Sequence, residues 1–231
     1  MRRRSKPHAY LLLARVSNLP TVWTNVMAAL FAAGVWPDPF GLTAAAMSLF
    51  YMGGMFLNDA FDAPFDAASR DDRPIPAGDV PRSEVFIAGF VLLLGGELLL
   101  IRQPHPIPAL GWGLALAGAI TFYDFRHKGR WFGPVVMGLC RALIYCIAAA
   151  GATGAVPTTV IVAAVVMWAY VIALTVVAKT AKLGYAVPWL IAGICLVDAV
   201  MIAMAGDPNH AMIAATGFVL TVLFQRIVPG T

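Results

Sequence analysis

The residues most able to do chemistry lie in one short segment, which reads Asn-Asp-Ala-Phe-Asp-Ala-Pro-Phe-Asp from position 58 to 66. Its carboxylates are spaced i, i+3 and i+7, so a helix would place them on one face. Clustered carboxylates near an apolar boundary repel and lose hydration unless a cation compensates them. Oxygen ligands without Cys or His favour a hard ion, so the segment predicts a Mg²⁺ site. The predicted ligands are Asn58, Asp59, Asp62 and Asp66.

Two features of this segment leave alternatives open. A solvated acidic loop balanced by Arg70 and Arg73 is the simpler interpretation, and the regular spacing argues against it. Pro64 lacks a backbone donor and clashes with the carbonyl four residues earlier, so the helix is expected to end near Phe61 and restart at Pro64.

Positive side chains that could bind phosphate oxygens follow other apolar runs of the chain. The same positions also serve as topology determinants, so each residue keeps two interpretations. The candidates are Arg126, Lys128 and Arg130 after the fourth run, and Lys179 and Lys182 after the sixth.

Four charged residues are expected within the membrane, where an ion must pair or face a wet cavity. They are Arg141, Glu97, Asp198 and Asp124. Arg141 could meet Asp124 or the charged end of a substrate, and a structural ion pair explains it equally well. Glu97 and Asp198 are expected in the outer halves of their helices, where snorkelling or helix pairing accounts for them.

The elements that must position these residues are predicted by composition. Hydrophobic residues make up 60% of the chain and charged residues 12%, with a mean hydropathy of +0.79. Eight apolar runs approach the roughly 20 residues that cross a bilayer. They cover about 16–36, 40–58, 84–101, 106–123, 133–153, 156–178, 185–205 and 210–228. Buried backbone groups must be satisfied within each segment, which predicts an all-α polytopic membrane bundle of about eight transmembrane helices. It forms a single domain over 1–231, with a polar motif loop at about 58–83.

Positive charge is distributed asymmetrically between the connections. Most Lys and Arg residues precede the first run or follow the second, fourth, sixth and eighth, whereas the alternate connections carry Arg102 alone. The positive-inside rule therefore predicts that both termini and the motif loop are cytoplasmic. This placement explains the net charge of +4 without a nucleic-acid partner. The expected location is a bacterial inner membrane. No signal-peptide cleavage pattern follows the start of the chain, so the first apolar run is expected to remain as a helix. The three cysteines predict neither a disulfide framework nor a zinc site.

The motif residues resemble the UbiA superfamily of intramembrane prenyltransferases. The family's first signature, N-D-x-x-D-x-x-x-D at the end of the second helix, is matched from Asn58 to Asp66, and the segment from Asp72 to Gly78 resembles the R-P-[IL]-P-x-G that follows it. The resemblance in helix order extends over essentially the whole chain. It implies a prenyltransferase that holds a prenyl diphosphate through Mg²⁺ and transfers the prenyl group, within the bilayer, to a small-molecule acceptor that the sequence does not name.

The resemblance also implies roles for individual residues. Asp62 would be catalytic, together with Tyr123 and Lys128, which match the family's Y-x-x-x-x-K after helix four. Lys128 would bind phosphate, and Tyr123 would line the mouth of the prenyl cavity. The expected substrate-binding residues, of which the first three resemble polar positions of the family's first helix, are Arg15, Asn18, Asn25, Arg70, Arg126, Lys128, Arg141, Lys179 and Lys182.

The chain departs from the family pattern after helix six. Where a second aspartate motif is expected, the sequence reads Ala-Lys-Thr-Ala-Lys from 178 to 182. Lysines could contact the diphosphate, but an ammonium group does not reproduce the polarisation that a metal gives. The chain also has eight apolar runs where the family usually has nine. Together with the missing aspartate motif, this count predicts a divergent branch, such as the Ebo-type prenyltransferases of bacterial gene clusters. The alternative is a prenyl-phosphate lipid-binding or carrier protein with reduced catalysis, and a secondary transporter is disfavoured because no inverted repeat is visible.

Overall fold

The computed structural model describes residues 4–126, 131–180 and 186–230, except the side chains of Lys179 and Thr180. Within these ranges the chain is all helical, with nine α-helices, one 3₁₀ turn at Val16–Asn18 and no strand. The helices are α1 (Lys6–Ala14), α2 (Leu19–Ala33), α3 (Phe40–Ser69), α4 (Arg82–Leu100), α5 (Pro106–Arg126), α6 (Gly133–Thr153), α7 (Thr158–Thr180), α8 (Val187–Met204) and α9 (Pro208–Gln225).

Each of the eight apolar runs overlaps one of the helices α2 to α9, which confirms the predicted all-α class. Six of them, α3 to α8, are long and apolar enough to cross a membrane among the residues described. Helix α2 has 15 residues and is the shortest of the helices α2 to α9. Helix α9 carries Asn209, His210 and Gln225 at its ends. Helix α1 is an additional short element that the hydropathy pattern did not predict.

Helix α2 lies in the middle of the bundle and contacts α3, α6, α7, α8 and α9. Helices that follow one another along the chain pack as neighbours, most extensively α3 with α4 and α8 with α9. Apart from the loop 70–81, the connections between these helices are short, which favours antiparallel packing of consecutive helices. The largest fully buried side chains of the core include Tyr145, Phe50 and Met47.

Glycines allow α3 and α4 to approach closely. A Cβ atom on Gly53 would lie 2.9 Å from the backbone oxygen of Gly89, and one on Gly89 would lie 2.8 Å from the Leu57 side chain. Small residues are typical of helix contacts in membranes, where backbone approach provides the packing energy. The contact fixes α3, which carries the acidic motif, against α4.

Helix α3 does not break at Pro64. The expected end near Phe61 is wrong, since the helix continues from Phe40 to Ser69 with Pro64 inside it. Proline deprives the Ala60 carbonyl of its helical donor. Arg82, at the start of α4, donates from Nε to that carbonyl at 2.7 Å. A donor from the next helix therefore replaces the missing backbone bond.

Helix α1 is packed against the end of α3 where the motif lies, which we call the motif end of the bundle. Ala9 and Leu13 are buried in a small cluster with Phe56 and Ala60. Tyr10 of α1 stacks on Phe56 and donates a hydrogen bond of 2.6 Å to Glu84. Burial, followed by this bond, raises the pKa of Tyr10 to about 12, so the phenol keeps its proton near neutral pH.

Candidate diphosphate site

Two of the motif carboxylates, Asp59 and Asp66, are buried at the motif end of α3, with 7% and 4% of their surface exposed. Arg73 bridges them, because its Nη1 donates to Asp59 Oδ1 and to Asp66 Oδ2 at 3.0 Å each. Arg15 donates from Nη2 to the same Asp59 oxygen at 3.2 Å. Buried carboxylates require such partners, since an unpaired buried charge is costly.

The loop that carries Arg73 is folded by local turns and by one long-range clamp. Its backbone makes turn bonds from Ala77 to Arg73 and from Asp79 to Pro74, at 2.8 and 2.9 Å. Arg4 holds the loop from outside. Its guanidinium donates to Asp79 Oδ2 at 3.1 Å and its backbone N–H to Asp79 Oδ1 at 3.0 Å. These bonds fix the position from which Arg73 reaches α3.

Arg15 contacts the cluster from a strained turn. Among the residues described, it is the one non-glycine residue with a left-handed backbone, at φ 44°. Such a conformation is uncommon outside glycine and costs on the order of 1–3 kcal/mol. The turn ends α1 and leads into α2, and the Arg15 guanidinium pairs with Asp59 beside it.

A polar cavity of about 330 Å³ opens beside the bridged carboxylates. Guanidinium groups dominate its lining and would suit an anion with several oxygens. The charged residues that line it are Arg4, Arg15, Arg70, Arg73, Asp59 and Asp72. We call this space the arginine cavity.

The other motif residues face α5. Asn58 donates from Nδ2 to Asp124 Oδ1 at 3.2 Å. Asp124 is buried, and its second carboxylate oxygen has no hydrogen-bond partner among the residues described. Asp62 lies one turn after Asn58 on α3, and Tyr123 precedes Asp124 on α5; both side chains are half-buried.

The donor chemistry of this region fits Mg²⁺. Carboxylate and amide oxygens are its preferred protein ligands, and an orphaned buried oxygen on Asp124 offers one more. The structure nevertheless shows no group of three or more acidic, His or Cys side chains arranged around a metal position in the ranges it describes. Arg73 bridges Asp59 and Asp66, while Asn58 contacts Asp124, so three of the four predicted ligands are divided between two separate groups of contacts.

Several predicted substrate-binding residues lie in the interior. Asn18 is buried and donates to Tyr51 and to the Gly230 carbonyl, at 3.1 Å each. Asn25 is fully buried and donates to Asp198 at 2.8 Å. Neither residue lines the arginine cavity, whereas Arg15 does.

Arg141 does not pair with Asp124. It donates to Asn25 Oδ1 and Thr21 Oγ1 at 3.0 Å each, and its guanidinium lies 5.6 Å from the Tyr51 ring centre. Of the two explanations expected for Asp198, helix pairing applies and snorkelling does not, because the residue is fully buried and accepts hydrogen bonds from Thr24, Asn25 and Tyr145.

Glu97 is half-buried between α4 and α5, where it lines an apolar groove of about 610 Å³ with Phe90, Phe122 and Phe125. Both of its carboxylate oxygens are buried and have no hydrogen-bond partner in the described part of the chain. They pack over Gly113, where a Cβ atom would lie 2.7 Å from each oxygen. Helix pairing rather than snorkelling thus accounts for its position.

The remaining predicted cations lie at the motif end or outside the described residues. Arg70 is exposed at the rim of the arginine cavity, and Arg126 is exposed at the end of α5, over the Phe125 ring at 5.3 Å. Lys128, Arg130, Lys182 and the side chain of Lys179 fall outside the described part of the chain.

From the sequence, Arg73 was named only as a charge that balances a solvated loop and not as a bridge between Asp59 and Asp66, and Asp124 was not predicted as a neighbour of Asn58. A signal for the first was present, because Arg73 belongs to the motif tail that follows Asp66 by seven residues. The Arg4–Asp79 clamp joins positions 75 residues apart and left no local signal.

The helical bundle, with six helices able to cross a bilayer, defines an integral multi-pass membrane protein. Residues 20–185 match the family model described as UbiA prenyltransferase family. The chain therefore belongs to the UbiA prenyltransferase family. This finding confirms the resemblance at the level of the superfamily, and the Ebo-type branch stays a prediction.

Curated relatives with sequence similarity are mainly archaeal. Digeranylgeranylglyceryl phosphate synthase of Methanopyrus kandleri is 36% identical over 125 residues, which cover 52% of this chain and 44% of the relative. Protoheme IX farnesyltransferase of Korarchaeum cryptofilum is 32% identical over 117 residues, 50% of this chain and 40% of the relative. The chain thus matches less than half the length of either relative.

One solved structure, concerned with digeranylgeranylglyceryl phosphate synthase in membranes, superimposes with a TM-score of 0.62 at 16% identity. The match covers 96% of this chain and 87% of the other. At this identity the likeness shows a shared fold.

Proposed function

We propose that the protein is a magnesium-dependent intramembrane prenyltransferase, which transfers a prenyl group from a prenyl diphosphate to an acceptor. The observation that carries the proposal is the family's acidic motif, buried at Asp59 and Asp66 beside a cavity lined by arginines. Oxygen ligands and guanidinium groups lie side by side there. Both are needed to hold a diphosphate with its metal.

The residues of this chain divide the work. Asn58, Asp59, Asp62 and Asp66, with Asp124 beside Asn58, would hold Mg²⁺. When bound, the ion supplies positive charge to the departing diphosphate. Arg15, Arg70 and Arg73 line the adjoining cavity and would contact the phosphate oxygens.

Transfer breaks the bond between the allylic carbon and the diphosphate oxygen, and the electron pair leaves with the diphosphate. The acceptor nucleophile forms a new bond to that carbon and loses its proton. Positive charge that is fixed before the reaction stabilises the leaving group without reorganisation, which is the main catalytic contribution that this arrangement offers. Lys128 and Tyr123 keep their predicted roles in phosphate binding and at the mouth of the prenyl cavity.

The names of the relatives suggest acceptor classes. Most of the similar curated proteins are digeranylgeranylglyceryl phosphate synthases, and one is a protoheme IX farnesyltransferase. A glyceryl phosphate lipid is therefore the first acceptor to test, with haem as the second. We place the site at the cytoplasmic side of the membrane, in line with the distribution of Lys and Arg.

One observation favours a second candidate, a prenyl-phosphate lipid carrier with reduced catalysis. The sequence carries Lys179 and Lys182 where the family's second aspartate motif would stand. Without that motif, the chain has fewer carboxylates for a second metal ion.

The test uses the full chain, purified in detergent, with Mg²⁺ and a labelled prenyl diphosphate. We expect Mg²⁺-dependent binding that Asp62→Ala abolishes and that the matched Asp71→Ala, an exposed acid in the following loop, retains. Wild-type affinity in Asp62→Ala would remove the metal role from the motif. Prenylated product with either acceptor supports the transferase, whereas binding without diphosphate release for every acceptor favours the carrier.

A further inference from the structure

Arg73 takes an unusual position for a residue next to a metal motif. A single nitrogen of its guanidinium, Nη1, lies 3.0 Å from Asp59 Oδ1 and 3.0 Å from Asp66 Oδ2. The two carboxylates are two helical turns apart on α3 and converge on that nitrogen. Only 16% of the Arg73 side chain is exposed, so the contact is shielded from water.

We propose that Arg73 holds the place between Asp59 and Asp66 that a divalent cation takes when the diphosphate binds, and that the displaced guanidinium then turns to the diphosphate. This inference rests on the proposed function. It adds a positioning role for Arg73 and an order of binding.

The local charge supports the exchange. Asp59 and Asp66 are balanced by the guanidinium groups of Arg15 and Arg73, so a divalent ion that enters alone meets two positive groups already in place. A diphosphate that arrives with the ion brings the negative charge that both arginines require. Metal and diphosphate should therefore bind cooperatively, each raising the affinity for the other by the same factor.

The geometry allows the guanidinium to move without refolding the loop. Arg73 already lines the arginine cavity with Arg15 and Arg70, so only the end of its side chain must rotate. The backbone is held independently by the turn at Ala77 and by the Arg4–Asp79 clamp. The exchange thus moves one side chain between two neighbouring partners.

The experiment measures binding of Mg²⁺ alone, and of inorganic pyrophosphate with Mg²⁺, to the purified full chain by calorimetry. In Arg73→Gln we expect Mg²⁺ alone to bind about tenfold more tightly, which is about 1.4 kcal/mol. Pyrophosphate in the presence of Mg²⁺ should bind about tenfold more weakly, because one guanidinium partner is lost. The thermal midpoint without Mg²⁺ should fall, and added Mg²⁺ should restore it more than in the wild type.

The matched control is Arg70→Gln, which removes the same charge from the rim of the same cavity. It should weaken pyrophosphate binding and change the affinity for Mg²⁺ alone by less than about threefold. Unchanged or weaker Mg²⁺ binding in Arg73→Gln would overturn the exchange and make Arg73 a fixed counter-ion. An equal gain in both variants would also overturn it, since general electrostatics would then explain the effect.

Two outcomes separate this inference from the proposed function. If the wild type binds Mg²⁺ neither alone nor with pyrophosphate, the proposed function and the exchange are both contradicted. If the wild type binds Mg²⁺ and pyrophosphate, and Arg73→Gln binds them with the same affinities, only the exchange is contradicted. Should Arg73→Gln not fold, Arg73→Lys replaces it, because lysine keeps the charge but its side chain ends one bond short of the position of Nη1, the nitrogen that contacts both carboxylates. Mg²⁺ alone should still bind more tightly to Arg73→Lys than to the wild type, and equal binding would contradict the exchange.

Discussion

Asp124 shows how a single residue can mark a site in this protein. One of its carboxylate oxygens accepts a hydrogen bond from Asn58, 66 positions earlier, and the other is buried without a partner among the residues described. A buried acceptor left unsatisfied costs about 1–3 kcal/mol. A cation bound beside the motif would remove that cost, which gives the residue a function in the proposed site.

Replacing this carboxylate tests that function. In Asp124→Asn, we expect Mg²⁺-dependent binding of pyrophosphate to weaken about tenfold or more, since a neutral amide binds the ion less strongly. The thermal midpoint without Mg²⁺ should stay the same or rise. Calorimetry and thermal unfolding in detergent measure the two effects. Asp71→Asn is the control for charge, and equal binding in wild type and Asp124→Asn would exclude Asp124 from the site.

At the residue scale, the sequence was informative where partners are close along the chain. The spacing of Asp59 and Asp66 predicted a shared face, and Arg73 does contact both. The interior partners of Asn18 and Asn25 could not be predicted in this way, because Gly230 and Asp198 are more than 170 positions away from them. Hydropathy places a residue in a helix but does not select which other helix it faces.

At the scale of elements, α3 and α4 depend on each other around Pro64. The Ala60 carbonyl lacks its helical donor, and Arg82 donates to it at 2.7 Å. We expect Arg82→Met to lower the free energy of unfolding by about 1–2 kcal/mol, because a backbone acceptor is left without its donor. In a Pro64→Ala background the helix supplies its own N–H, so the same substitution should cost less than about 0.5 kcal/mol.

A double-mutant cycle, read by reversible unfolding in detergent, measures this coupling. Two equal losses would show that Arg82 acts through other contacts, such as its position 5.2 Å from the centre of the Phe86 ring. The sequence predicted a break before Pro64, and this prediction is wrong because α3 continues through the proline. It could not reveal that the next helix would provide the missing donor.

The glycine contact between the same two helices gives a separate prediction. Gly53→Ala places a Cβ atom 2.9 Å from the Gly89 backbone oxygen, which cannot move as a side chain can. We expect a loss of about 1–3 kcal/mol in the free energy of unfolding, the usual effect of overpacking. Gly118→Ala in α5 is the control, because no atom lies within 4 Å of the added group and alanine favours the helix. A loss as large in the control as in Gly53→Ala would contradict the packing argument.

At the scale of the whole molecule, the number and order of the long helices could be predicted, and their arrangement could not. Apolar runs near the length that spans a bilayer mark helices regardless of their neighbours. The central position of α2 depends instead on contacts spread along the chain. Thr24 and Asn25 of α2 bond to Asp198 of α8, and Arg141 of α6 bonds back to Asn25. Such polar contacts link helices that hydropathy treats as equivalent.

Orientation in the membrane is the prediction that involves the whole molecule. The excess of Lys and Arg at the motif end predicts that this end faces the cytoplasm. In a background with Cys140, Cys146 and Cys195 changed to Ala, single cysteines are introduced at Ala68, after the motif, and at Asn209, at the opposite end. Both positions are exposed.

A maleimide that cannot cross membranes should label Asn209→Cys in intact cells, and Ala68→Cys only after the membrane is opened. The two sites serve as controls for each other, since they differ in the end of the bundle and share the same chemistry. The reverse pattern would place the motif outside, where the cytoplasmic supply of a prenyl diphosphate could not reach the arginine cavity. Labelling of both in intact cells would mean that the charge distribution does not fix a single orientation.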